Sequence, residues 1–173
     1  MGYWDLIRPL SLRMSRSALF QRLAPRVLPP LDRAAYRLSG GRILLGQKLM
    51  PSLMLFTVGH RTGLPRRTPL TCVPEPDGSF VVTASNFGRP RHPAWSENLL
   101  HSPEVTVGYG GRTIPVTARL LGPDEQDEVL PRVYAVWPVY RDYIERSGRQ
   151  VRVFRLLPRR SDHAKPRHRH ANL

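Results

Sequence analysis

The sequence predicts a mainly β chain of the α+β class: a small β-barrel with peripheral helices and an N-terminal helical extension. Three short apolar runs rich in β-branched residues follow one another between Leu53 and Ser85. A Gly110-Gly111 turn joins two further extended arms. Helical segments enter late in the chain and do not alternate with strands, which disfavours a parallel βαβ sheet. At 173 residues the chain is long enough for one domain with a real core.

From Met1 to about Gly41, leucine, arginine and proline are mixed. Between Ser11 and Val27, Leu12, Leu19, Phe20, Leu23 and Val27 share one side of a helical wheel. Arg13 and Arg22 fall outside that stripe, Arg26 at its border and Arg16 within it. Such a helix lies on lipid or packs on the main domain, and Arg16 weakens the first reading. A second short helix is expected from Asp32 to Leu38, stopped by Ser39-Gly40-Gly41.

The strands are expected at Leu53–Val58, Thr68–Val73 and Phe80–Ser85, with Pro76-Asp77-Gly78 turning between the last two. Nine residues, Gly59–Arg67, join the first pair. Pro93 suits a helix start, and Ser102-Pro103 closes that helix after His101. "EVTVGY" and "RTIPVTARLL" form a hairpin, in which Pro115 marks an edge or a bulge. "GPDEQDEVLPRVYAVW" is a helix whose first turns hold Asp124, Glu125, Asp127 and Glu128, as the helix dipole favours, and Pro131 bends it. "VYRDYIERSG" is a short helix and "VRVFRLLP" a last strand. The organisation expected is therefore an extension over 1–40, a barrel over 41–158 and a disordered basic tail over 159–173. His163, His168 and His170 in that tail are crowded by cations and lack an acid or thiol to complete a metal site.

The formal charge is +14, and 25 of the 27 basic residues are arginine. Residues 1–53 carry nine basic and two acidic residues, an excess suited to an anionic membrane surface, although solubility alone explains much of it. Nucleic acid ranks last as a partner, because no RNA-recognition or helix-turn-helix signature accompanies the charge. The lone Cys72 sits in an apolar run and reads as a buried thiol in a reducing compartment. No apolar run approaches the roughly 18 residues of a membrane span, and the start lacks a signal peptide's pattern. The expected location is the cytoplasm, with residues 1–40 offered to the cytoplasmic membrane face.

Two stretches carry chemistry. "GHRTGLPRRTP", Gly59 to Pro69, holds Arg61, Arg66 and Arg67 with His60 and Thr62. Forked guanidinium donors suit phosphate or carboxylate, and the two glycines let the backbone turn. The spacing is not that of a Walker A loop. "ASNFGRPRHPAWSENLL" runs from Ala84 to Leu100, and Trp95 and Asn98 project from one helix face at i, i+3. Tyr140 and Tyr143 repeat that spacing further on. Gly-x-Ser-x-Gly, His-Glu-x-x-His and paired cysteines are absent, so any reactivity belongs to a cofactor.

In this order, "LFTVGHRTGLPRRTPL", "VVTASNFGRPRHPAWSENL", "PEVTV" and "VYAVWPVYRDY" resemble the deazaflavin-dependent nitroreductase family, over roughly Gly40 to Pro158. The resemblance implies a split β-barrel that uses reduced coenzyme F-420 to transfer hydride to a quinone or nitroaromatic acceptor. It implies cofactor contacts at His60, Arg61, Thr62, Arg66, Arg67, Thr68, Thr71, Ala84, Ser85, Asn86, Trp95 and Asn98. Ser85, Tyr140 and Tyr143 would line the acceptor pocket. No metal is implied, and a homodimer is among the expected assemblies. His60 stands where the family has arginine, Arg61 where it has lysine, and Asn86-Phe87 where it has lysine and a small residue. These departures motivate FMN as an alternative cofactor. They also motivate a second reading, a non-catalytic protein that binds deazaflavin, FMN or lipid on the same barrel.

Overall fold

The computed structural model describes residues 18–42, 44 and 50–159. The start of the amphipathic segment from Ser11 and the histidine-bearing tail lie outside the described residues. A single helix α1, Ala18–Leu38, replaces the two that were expected. Pro25, Pro29 and Pro30 lie within it, and each withholds a backbone donor without ending the helix. The helix stops where expected: the Gly41 N–H donates to the Tyr36 carbonyl at 2.8 Å, and Gly40 turns through a φ of +62°.

Six strands follow: β1 Ser52–Val58, β2 Pro65–Pro74, β3 Phe80–Thr83, β4 Glu104–Tyr109, β5 Arg112–Leu120 and β6 Val153–Pro158. They close in the order β1-β2-β3-β6-β5-β4, every neighbouring pair antiparallel. Closure leaves no strand unpaired along its whole length, so Pro115 must lie where a ladder ends. Its carbonyl accepts from the Arg159 N–H at 2.9 Å, so its nitrogen faces the same side, just beyond the Val116–Pro158 pair that ends the β5–β6 ladder. The proline therefore sits at a local edge where the β6 ladder ends, and no bulge is needed.

Leu53, Leu55, Cys72, Val82, Leu99, Val107, Val116, Phe154 and Leu156 fill the barrel, each at most 1% exposed. Helix α2, Ala94–His101, plugs one end with Trp95 and Leu99. Helix α3, Pro123–Val136, packs Val129 and Val133 on Val81, Leu121 and Val153. It is followed by α4, Val139–Ser147.

Two expected boundaries are corrected. β2 begins at Pro65, because Arg66 and Arg67 pair with Thr57 and Phe56, so the connecting loop is Gly59–Leu64 and not Gly59–Arg67. β3 ends at Thr83, and the chain then turns through Asn86–Gly88 with Asn86 at φ 50° and Phe87 at φ 56°.

Helix α1 is docked on the barrel wall by one aromatic. Tyr36 lies against Phe56 of β1 with ring centroids 6.0 Å apart, and its hydroxyl occupies the space above Gly108 of β4. Any side chain at Gly108 would collide with that hydroxyl.

Candidate functional site

Between α1, the Gly59–Leu64 loop and the start of α2 lies a cavity of about 890 Å³. Three parts of the chain meet there, and each is held in place by contacts that can be traced. The loop closes on itself through the Gly59 N–H to the Leu64 carbonyl (2.9 Å) and the Gly63 N–H to the Gly59 carbonyl (2.7 Å). A Cβ on Gly59 would stand 2.6 Å from the Thr62 hydroxyl, so the turn needs glycine there. The Thr62 Oγ1 accepts from Arg66 Nη2 at 3.3 Å, which ties the strand arginine to the loop.

Asn98 fixes the loop to α2. Its Oδ1 accepts from the His60 backbone N–H and from His60 Nδ1, both at 3.1 Å, while its Nδ2 donates to Thr57 Oγ1 at 3.0 Å. An amide oxygen only accepts, so His60 carries its proton on Nδ1. The His60 ring also stacks on His101, centroids 4.5 Å apart and planes within 17°. Trp95 is 7% exposed, leans on Phe154 in the core and shows its remaining surface to the cavity.

The cationic wall is larger than the loop alone. Arg61, Arg66 and Arg67 line the cavity from one side, and Arg33 and Arg37 of α1 line it from the other. Among the described residues the ion pairs engage Arg119, Arg132, Arg152, Arg155 and Arg159, and none engages these five. Five like charges at one opening repel one another and are relieved by an anion. A ligand with several anionic groups fits this wall, and the apolar surface of Trp95, Ala94 and Pro65 fits a flat ring system.

Of the residues implied by the resemblance, the cavity gathers His60, Arg61, Thr62, Arg66, Arg67, Thr68, Trp95 and Asn98. Thr71, Ala84, Ser85, Asn86, Tyr140 and Tyr143 are not in its walls. Thr71 directs its hydroxyl to Met50 Sδ at 3.0 Å. Ala84 and Ser85 are buried, and their carbonyls accept from Arg149 Nη2 at 2.8 and 3.4 Å. Asn86 uses its amide Nδ2 to hold the Arg91 carbonyl at 2.8 Å. Tyr143 is 3% exposed and lies between Phe87 and Tyr140, with ring centroids 6.1 and 6.2 Å away. Burial pushes the Tyr140 hydroxyl up to about 12, so it stays neutral across the physiological range.

Arg33, Arg37, Arg146 and Arg149 are absent from the sequence-derived set. Arg146 Nη2 donates to the Phe87 carbonyl at 2.7 Å, and Arg149 also reaches His92 Nδ1 at 2.9 Å. They staple the turn that leads into α2. Local spacing carries no signal for such contacts, which join residues 57 to 65 apart in the chain.

Among the described residues no three His, Cys, Asp or Glu side chains group into a metal site, and no helix is long and apolar enough to cross a membrane.

The family model of F420H(2)-dependent quinone reductase matches residues 31–158. The F420H(2)-dependent quinone reductase Rv1261c of Mycobacterium tuberculosis (strain ATCC 25618 / H37Rv) is 34% identical over 141 residues, 75% of this chain and 89% of that protein. The solved structure of an F420-H2 dependent reductase (FDR-A) is similar at 32% identity and a TM-score of 0.56, over 61% of this chain and 93% of that one. A second solved structure, described as a domain-swapped dimer, is 28% identical with a TM-score of 0.59 over 73% of this chain and 98% of that one.

Proposed function

The chain belongs to the F420H(2)-dependent quinone reductase family, and from that premise we propose that the cavity between α1, the Gly59–Leu64 loop and α2 binds coenzyme F-420. The observation that carries the assignment is the convergence of five guanidinium groups, none of them ion-paired among the described residues, beside the small exposed part of Trp95. Bound in reduced form, the deazaflavin supplies a hydride to a quinone.

The protein's own part is binding and orientation, since no side chain of the cavity is a nucleophile poised for covalent chemistry. Arg61 and Arg66 hold phosphate or carboxylate groups with forked donors, and Arg67, stacked over Phe56 at 5.9 Å, adds a third. Asn98 holds the loop and the indole-bearing helix at a fixed spacing. Trp95 excludes water from one side of the ring site. The proton that completes quinone reduction arrives from solvent through the open cavity, because Tyr143 and Ser85 are buried elsewhere and Tyr140 lies off its walls.

The acceptor proposed is a quinone dissolved in an anionic membrane. Its support is a stripe of exposed apolar side chains on α1, Leu23, Val27 and Leu31, beside the arginine-lined opening. A homodimer is the assembly proposed, on the likeness to the domain-swapped structure.

Titration with F-420 and with FMN tests the assignment, followed by turnover with menaquinone and a simple benzoquinone. F-420 binding with quinone reduction is expected. Preference for FMN, or binding without turnover of either quinone, overturns it.

A further inference from the structure

One guanidinium spans the turn between β3 and α2. Arg149 donates from Nη2 to the Ala84 and Ser85 carbonyls at 2.8 and 3.4 Å, and from Nε to the Arg89 carbonyl at 3.3 Å. Its third nitrogen, Nη1, meets His92 Nδ1 at 2.9 Å. A guanidinium only donates, so His92 accepts at Nδ1 and is neutral, with its proton on Nε2. An imidazolium carries hydrogen on both nitrogens and cannot take that bond. Arg149 and Arg152 face the ring from the segment leading into β6, and Arg89 and Arg91 flank it along its own turn. Glu97 of α2 faces it as the opposing charge, and Arg152 Nη1 already holds that carboxylate at 2.6 Å.

The turn so held is strained. Asn86 and Phe87 both lie in the left-handed region, at φ 50° and 56°, which is unfavourable for an aromatic residue above all. The Gly88 N–H closes on the Ser85 carbonyl at 2.9 Å, and the Arg89 N–H on the Asn86 carbonyl at 3.1 Å. Closed in this way, the turn lays Phe87 on Tyr143, which is 3% exposed. Such backbone persists only while its surroundings over-determine it. Arg149 binds both ends of the turn, and one of its bonds depends on an acceptor that titrates.

We infer that His92 and Arg149 form an acid-released latch: the neutral ring keeps the Ala84–His92 turn closed over Tyr143, and the protonated ring lets it open. A proton arriving at Nδ1 removes the accepting lone pair and sets cation against cation, which weakens the hold of Arg149 on the three carbonyls. Burial, then Arg149 and Arg152, hold the imidazole below its ordinary value of 6.5. The closed turn is therefore fully stabilised above that value and loses the contribution as pH falls through the lower folded-state one. His92 and Arg149 are not in the walls of the arginine-lined cavity, so the latch stands whatever that cavity binds.

Two measurements on the full chain test this. Ring nitrogen chemical shifts of ¹⁵N-labelled histidine at pH 7.5 should show His92 unprotonated at Nδ1 and protonated at Nε2. Native-state hydrogen exchange at the Gly88 and Arg89 amides, corrected for the intrinsic rate, should report about tenfold more opening at pH 5 than at pH 7.5. Exchange in β3 should stay unchanged over that range, which separates the latch from general acid unfolding. His92→Asn places an amide oxygen where Nδ1 stands and does not titrate, so its opening should be the same at both pH values. His92→Lys sets a fixed cation against Arg149 and should leave the turn open at both. A proton on Nδ1 at pH 7.5 overturns the inference. So does an equal pH dependence in wild type and His92→Asn, or a turn that stays protected in His92→Lys.

Discussion

Asn98 and His60 are joined twice: one amide oxygen accepts both the backbone N–H and the ring Nδ1–H of the histidine, each at 3.1 Å. The two residues lie 38 positions apart, and the pair is the hinge pin between the arginine loop and the tryptophan helix. Because Asn98 is 4% exposed and its Nδ2 is engaged by Thr57, no water replaces it at low cost. Asn98→Ala should therefore cost about 2–3 kcal/mol of stability, through the donors left without an acceptor. It should also weaken F-420 binding about tenfold or more by releasing the loop. Asn98→Asp keeps the acceptor for His60 and should recover much of both. Urea melts and a binding titration on the two variants check this, and full cofactor affinity in Asn98→Ala would refute the pinning role.

Gly108 is a strand residue with an ordinary backbone, and the need for glycine there comes entirely from Tyr36. Gly108→Ala should leave the barrel intact and push α1 off it, because the new methyl group meets the Tyr36 hydroxyl and comes within 3.0 Å of Cζ. Hydrogen exchange in residues 30–38 should accelerate while exchange in β1 and β4 stays slow. Tyr36→Phe in the same chain removes the colliding oxygen and should return part of the protection. Equal protection of α1 in wild type and Gly108→Ala would show that the helix is held by something else.

The barrel is legible in the sequence because its strands are short apolar runs bounded by glycine and proline, and the Gly110-Gly111 hairpin falls where the turn residues place it. Arg61 is legible because Gly59 and Gly63 frame it. What escapes is set by contacts between distant segments. Prolines 29 and 30 suggest a helix break, and that break hides the alignment of Arg33 and Arg37 with the cavity. Arg66 and Arg67 are loop residues by composition and strand residues by pairing, since the β1–β2 ladder extends to Pro65. The turn after β3 is visible, whereas its staples Arg146 and Arg149 belong to a helix end some 60 residues later. Tyr140 and Tyr143 share a helix face as their spacing requires, but that face meets the Phe87 turn and the α3 cluster and not the arginine cavity.

Acid should loosen the α2 end of the barrel first. Glu97 accepts from Arg152 Nη1 at 2.6 Å, and that bond holds its carboxyl below the ordinary range. A depressed folded-state value means that the stabilisation is complete above the unfolded-state value, near pH 4, and is lost as pH falls through the lower folded one. Asp77, held by the Ser79 hydroxyl and N–H, and Glu125, held by Arg119, add to the same slope. Arg152→Gln should flatten the Glu97 part of that slope while leaving the neutral-pH profile shape unchanged. Urea midpoints followed from pH 6 down to pH 2 measure it, and an identical slope in the variant would exclude the Glu97–Arg152 pair as its source.

Cys72 should be silent to thiol reagents in the native state. Burial in the barrel pushes its thiol up to about 12, so thiolate is scarce at neutral and mildly alkaline pH, and access is closed as well. Iodoacetamide at pH 8 should label the protein only after denaturant is added. Rapid native labelling would mean that the barrel opens at Cys72 far more often than a closed six-stranded sheet allows.

The exposed stripe of α1 makes the last prediction the most selective one. Leu23, Val27 and Leu31 recur every fourth residue, are 47%, 46% and 49% exposed, and lie on the wheel away from the docked Tyr36. Covering three such half-exposed side chains is worth about 1 kcal/mol each, or roughly 100-fold in partitioning for the set. The adjacent arginines favour an anionic interface over a neutral one. Wild type should therefore sediment with vesicles containing anionic lipid and far less with neutral ones. A Leu23→Ser/Val27→Ser/Leu31→Ser variant should lose that association while keeping its affinity for F-420, because none of the three side chains is among those that line the cavity. If the variant still sediments with the vesicles, the stripe does not face lipid. If it ceases only to self-associate, the stripe is the contact between two copies of the chain.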